Sequence, residues 1–180
     1  MTEEELLELA GKEGFSAALL PTEQIPVDPK FRVYCEENRC GRYNANYSCP
    51  PDCGTPEEMH QRILSEPDAL IIASQWEIDG YGDKAGIQHA KEHHNAGVRR
   101  LLDAMGRAGF QGFAVGYSGC QLCSPCKRVN HEPCPFPDKR ISCMSAYCVD
   151  VTELSKKCGL EFDWADTRLH LFGMIAFHRT

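Results

Sequence analysis

Eight cysteines stand in two short runs of this chain. Thiols at such density do one of three things: they cross-link, they hold zinc, or they hold an iron–sulfur cluster. The later run, GYSGCQLCSPCKRVNHEPCP, carries Cys120, Cys123, Cys126 and Cys134. Its first three cysteines follow one another as CxxCxxC. A tetrahedral zinc site typically takes CxxC pairs from separate places in the chain. Three in succession instead curl one loop around an object with several metal corners, as in bacterial ferredoxin runs, where the fourth cysteine is followed by Pro as Cys134 is here. The departure is the gap of seven residues between Cys126 and Cys134. Those residues extend over roughly 20 Å, so reach is no obstacle. The loop therefore points to metal, with iron–sulfur ahead of zinc. His131 lies inside it and reads as a solvated loop histidine. Lys127, Arg128, Lys139 and Arg140 flank it and suit both an anionic cluster and an acidic redox partner.

The earlier run, CEENRCGRYNANYSCPPDCG, holds Cys35, Cys40, Cys49 and Cys53. Its spacing is irregular, yet four thiols make a complete ligand set. The run ends at a helix start, where unpaired N–H groups favour an anion. A second cluster is the expectation, with structural zinc the alternative.

The other thiols read differently. Cys148 falls on a helical stripe with Ile141, Met144 and Val151, as a small buried hydrophobe would. Cys143 lies off that stripe and is a spare ligand, and Cys158 is a free thiol at a helix end. His89 and His93 share one helical face beside His94, with no HExxH glutamate between them, and read as a solvated face.

The elements that must position these loops follow from local signals. Glu3 to Leu9 predicts a helix, and FSAALL a strand. Thr55-Pro56-Glu57-Glu58 combines a cap, Pro at the first helical position and Glu three residues on. ALIIASQWEI predicts a strand, and Gly86 to about Gly109 a helix buried along Val98, Leu101, Leu102 and Met105. GFAVGYS is a strand that feeds the later loop. Asp138 is expected to cap a helix reaching Lys157, stopped by Gly159. LHLFGMIAFH is apolar throughout, as a strand covered on both faces would be. The fold expected is α/β: one domain over residues 1–180, a central mixed sheet covered by helices, and cysteine loops at 35–53 and 120–134.

Composition narrows the function. The chain has 180 residues, a net charge of −7 and eleven cysteines. Its acidity leaves nucleic acid without an electrostatic footprint. No apolar run approaches the ~20 residues of a membrane span. The acidic, amphipathic start lacks the pattern of a signal peptide, so the expected location is cytoplasmic. An odd number of cysteines in a reducing compartment disfavours disulfides.

CGRYNANYSCPP and CQLCSPCKRVNHEPCPFPDKRISCMSAYCVDV, taken together, resemble a family of small cysteine-rich prokaryotic proteins common in anaerobes. It is a domain of unknown function described as a predicted metal-binding protein, and the resemblance runs from Arg32 onward. It implies that Cys120, Cys123, Cys126 and Cys134 are metal ligands, joined by Cys40 and Cys49 and, less directly, by Cys35 and Cys53. Members mostly carry other residues at the places of Cys143, Cys148 and Cys158. The function expected is an iron–sulfur protein with one or two [4Fe–4S] clusters, serving as electron carrier or redox accessory subunit to a partner protein. A zinc-stabilised interaction module is the alternative. An enzyme with an open cluster site, helped by Tyr117, His131 and Arg140, is the third reading.

Overall fold

The computed structural model describes residues 2–180. Its strands are β1 (Ser16–Pro21), β2 (Asp68–Glu77), β3 (Phe110–Gly116), β4 (Ser142–Cys143) and β5 (Arg168–Arg179). They form one sheet in the order β1-β2-β5-β3-β4. All neighbours are antiparallel except β3 and β4, which makes the sheet mixed. The apolar strand β5 lies between β2 and β3, and its residues from His170 to Phe177 are buried. That position explains why its sequence does not alternate.

Side-chain alternation along β2 sorts the core into two layers. Ala69, Ile71 and Ala73 face one side with Met59, Ile63 and Leu154; Leu70 and Ile72 face the other with Leu6, Ala10, Val98, Leu101 and Met105. The first layer is covered by α3 (Pro56–Leu64) and α5 (Val151–Cys158), the second by α1 (Glu3–Lys12) and α4 (Lys84–Arg107). The short α2 (Arg32–Glu36) leads into the earlier cysteine run. Thr55 and Glu58 close the capping box their spacing predicts at the head of α3.

One element differs from expectation. No helix begins at Asp138. The chain forms β4 beside β3, turns through Tyr147 and Cys148, and enters α5 only at Asp150, whose side chain caps Glu153 N–H. Cys148 is left-handed, with φ of 57°, so a continuous helix through it is excluded. Ile141, Met144 and Cys148 are buried as the stripe predicts, but from the residue just before β4 and the turn after it. Gly159 does stop α5 in the left-handed conformation. Among the described residues no helix is long and apolar enough to cross a membrane.

Candidate metal centre

The later loop hangs from the end of β3, and α4 fixes where it starts. The buried Asn95 side chain accepts the Tyr117 N–H at 2.8 Å and donates to the Tyr117 carbonyl at 2.8 Å and to Gln121 Oε1 at 3.2 Å. Gly116 leaves room for that clamp: a β-carbon there would run into Asn95 Oδ1. Beyond it, Cys120, Cys123, Cys126 and Cys134 line one small cavity, with Ser48 and Arg140 on its walls. The Cys123 thiol is held above its ordinary range by desolvation, then by the facing sulfurs of Cys126, Cys120 and Cys134. The four thiols that spacing grouped are together in space.

The earlier run gathers Cys35, Cys40, Cys49 and Cys53, and one thiol from elsewhere. Cys143, on β4, lies within charge–charge range of all four. Burial and then the Cys143 sulfur push the Cys35 thiol up to about 12, and the same two causes raise Cys49. Burial also raises Cys53, to about 11. Burial favours the protonated thiol at Cys35, Cys49 and Cys53, so a metal bound here would release protons.

Three cations accompany them. Arg32, nearly buried, donates to the carbonyls of Gly54 and Ala146 at 2.9 Å each, and its charge bears on Cys35 and Cys53. Arg42 bears on Cys49. Lys91 has its pKa lowered chiefly by burial and then by Arg42, while Cys40 and Cys143 oppose that shift. The basic residues flanking the later loop were the ones that drew notice in sequence. Of those, Arg128 and Lys127 are paired, to Asp52 at 2.8 Å and Glu132 at 3.1 Å.

The two loops form one continuous body. Ser48 Oγ accepts the Cys120 N–H at 2.7 Å and lies 3.9 Å from Cys49 Sγ. Asn46 Nδ2 donates to the Cys120 carbonyl at 2.9 Å. Arg128 reaches Asn44 Oδ1 at 2.6 Å as well as Asp52, and Tyr47 Oη donates to the Glu132 carbonyl at 2.8 Å. Gly119 is pressed so close to the earlier run that a β-carbon on it would stand 2.7 Å from Cys49 Sγ.

Away from the cysteine loops, Glu161, Asp163 and His170 bring one ligand atom each to within 4.8 Å of one another. That group is already compensated by a protein cation. Arg168 pairs with Asp163 at 2.6 Å, and His170 Nε2 meets the other Asp163 oxygen at 3.1 Å.

All eleven cysteines are free thiols. Cys148 is buried, and Cys158 is half-buried at the end of α5. His131 is exposed, as are His89 and His93, whose rings lie 4.1 Å apart beside Trp76. Sequence reasoning missed Asn95, Ser48, Asn46 and the cations of the earlier run. Arg42, Asn46 and Ser48 stand between the cysteines of CGRYNANYSCPP, where the thiols drew the notice, while the Cys120 contacts of Asn46 and Ser48 and the Tyr117 contacts of Asn95 each span a long stretch of chain.

Cysteine-rich loops carried on a two-sided α/β sheet, with thiols and cations converging, define a metal-binding protein. The chain belongs to the family described as predicted metal-binding protein (DUF2284), whose model matches residues 18–177. No curated protein and no solved structure matched it.

Proposed function

We propose that this protein holds two [4Fe–4S] clusters, one in each cysteine loop, and passes electrons between them and a partner protein. The contact of Cys49 and Cys120 through Ser48 carries the reading, because it sets two thiol-rich sites side by side. The CxxCxxC order of Cys120, Cys123 and Cys126, with Pro after Cys134, supports cubanes over single zinc ions, since a cubane places each thiolate on its own iron. When bound, such clusters supply one-electron chemistry at a potential set by charge, hydrogen bonding and exposure.

The chain's own residues divide that task. Arg32, Arg42 and Lys91 offset the negative charge of the inner site. The later loop faces outward and exposes Leu122, Val129 and Phe136, with Lys139 and Arg140 also exposed. An apolar patch rimmed by cations suits transient docking of an acidic redox protein. Replacement of Cys123 by Ala in anaerobically purified protein tests the reading. It is expected to remove half of the iron and visible absorbance while the sheet stays folded. A chain that binds only zinc, and unfolds on that replacement, is an interaction module instead.

A further inference from the structure

We infer that this protein self-associates as a two-fold dimer through the free edge of β3. The β3 strands of two copies run antiparallel and join two five-stranded sheets into one. Neither the metal nor its identity bears on this dimer.

The edge is open because β4 is short. β5 flanks β3 on one side from Phe110 to Val115, whereas β4 flanks the other side only at Val115 and Gly116. Phe110 to Ala114 therefore have a strand neighbour on one side alone. Among the described residues, their backbone makes no hydrogen bond outside the strand pairing. A strand so placed turns half of its N–H and C=O groups outward. Proteins blunt such edges with Lys, Pro or a covering segment. The stretch FQGFA carries neither residue, and Gln111 and Gly112 are exposed. No larger side chain can shield the edge at Gly112, because a β-carbon there would run into the Ala176 carbonyl of β5.

The walls of that edge carry self-complementary charge. The groove along it is lined on one side by Arg62 and Glu66, from α3 and the turn after it, and on the other by Leu102, Asp103, Gly106 and Arg107 of α4. The whole chain carries −7 and repels a copy of itself, but this groove sets two arginines against one Glu and one Asp. Glu66 already pairs with His178 at 2.6 Å, and the Arg62 guanidinium stacks on Phe113 at 4.5 Å. Asp103 and Arg107 remain. Both are exposed, one turn apart on α4, and in no ion pair among the described residues. A two-fold axis reverses the second α4, so that Asp103 of each copy faces Arg107 of the other and both pairs form at once. Gly106 stands between them with open space where a β-carbon would be, which lets the two helices approach. An acidic or a basic peptide would satisfy one of these charges; a second copy satisfies both. Antiparallel pairing also sends the C-terminal ends of the two β3 strands in opposite directions. Each later cysteine loop, which follows Gly116, then stays outside the interface.

Sedimentation velocity over a concentration series, on the full-length chain purified without oxygen, tests the inference. At about 100 μM, where a micromolar dimer is nearly complete, the unaltered protein is expected at twice the 20.2 kDa of one chain. Asp103→Lys and Arg107→Glu each set like charges face to face twice, and each is expected to raise the dissociation constant about tenfold or more. An equal mixture of the two variants recovers both opposite-charge pairs in a heterodimer, and is expected to return to the unaltered value. That recovery also shows that both variants fold. A monomer at about 100 μM overturns the inference and leaves the edge to a strand of another protein. A dimer that neither substitution weakens overturns it too, by placing the interface elsewhere. Failure of the mixture to recover overturns the facing of Asp103 by Arg107.

Discussion

Cys49 and Cys120 come from different halves of the chain and share one hydroxyl. Ser48 Oγ accepts the Cys120 N–H at 2.7 Å and sits 3.9 Å from Cys49 Sγ. The two sites therefore have a short polar contact between their ligand-bearing backbones, and neither loop is positioned independently of the other.

Ser48→Ala removes that hydroxyl and leaves the Cys120 N–H without its acceptor. The expected cost is about 1 kcal/mol, because the Cys120 N–H is only partly buried and water can replace the lost acceptor. Urea denaturation of the loaded protein measures it. Metal content at saturation is expected to stay unchanged, because Ser48 supplies no thiolate. A variant that loses metal from either loop while remaining folded contradicts the role given to Ser48.

Lys91 lies within charge range of Cys40 and Cys143. A cation there favours the more negative, reduced form of a thiolate-bound cluster. Lys91→Met is expected to move the midpoint potential of one of the two centres to more negative values, by tens of millivolts, or roughly 1 kcal/mol for one partly screened charge. Anaerobic redox titration followed by EPR reads the shift. An unchanged potential at both centres, or a rise, counts against Lys91 as a neighbour of the cluster.

His94 provides a pH dependence that does not involve the metal. Its ring is buried between Phe15 and Ser74, and burial pushes its pKa down from 6.5 to about 4, opposed by the Phe172 backbone. The unfolded chain binds a proton at His94 near pH 6.5 and the native chain does not. Its contribution is therefore intact above pH 6.5, is lost as pH falls from 6.5 to about 4, and is flat below that. The loss amounts to about 3 kcal/mol. Equilibrium unfolding at a series of pH values is expected to show this slope, and His94→Leu is expected to flatten it between pH 6.5 and 5. An equal slope in both proteins assigns the dependence to other groups.

Much of the scaffold was legible in residue patterns because its signals are local. Thr55 to Glu58 state a capping box within four residues, and the apolar run around Phe172 identifies the strand covered on both faces. The helix expected from Asp138 failed for a physical reason. Ile141, Met144 and Cys148 are buried, so helical periodicity was satisfied, but β4 and a left-handed turn bury them by another route. That same turn brings Cys143 to the earlier cysteine run. No spacing rule reports such a contact, because it depends on how β4 pairs with β3. The later loop was readable as a group since its four thiols are close along the chain, while Asn95 and Lys91 act from α4, far away in sequence from the groups they meet.

Iron and acid-labile sulfide measured per chain, on protein purified without oxygen, test the central claim most directly. Two [4Fe–4S] centres predict a brown protein with about eight irons and as many sulfides per chain. A colourless protein containing zinc and no sulfide would contradict the account.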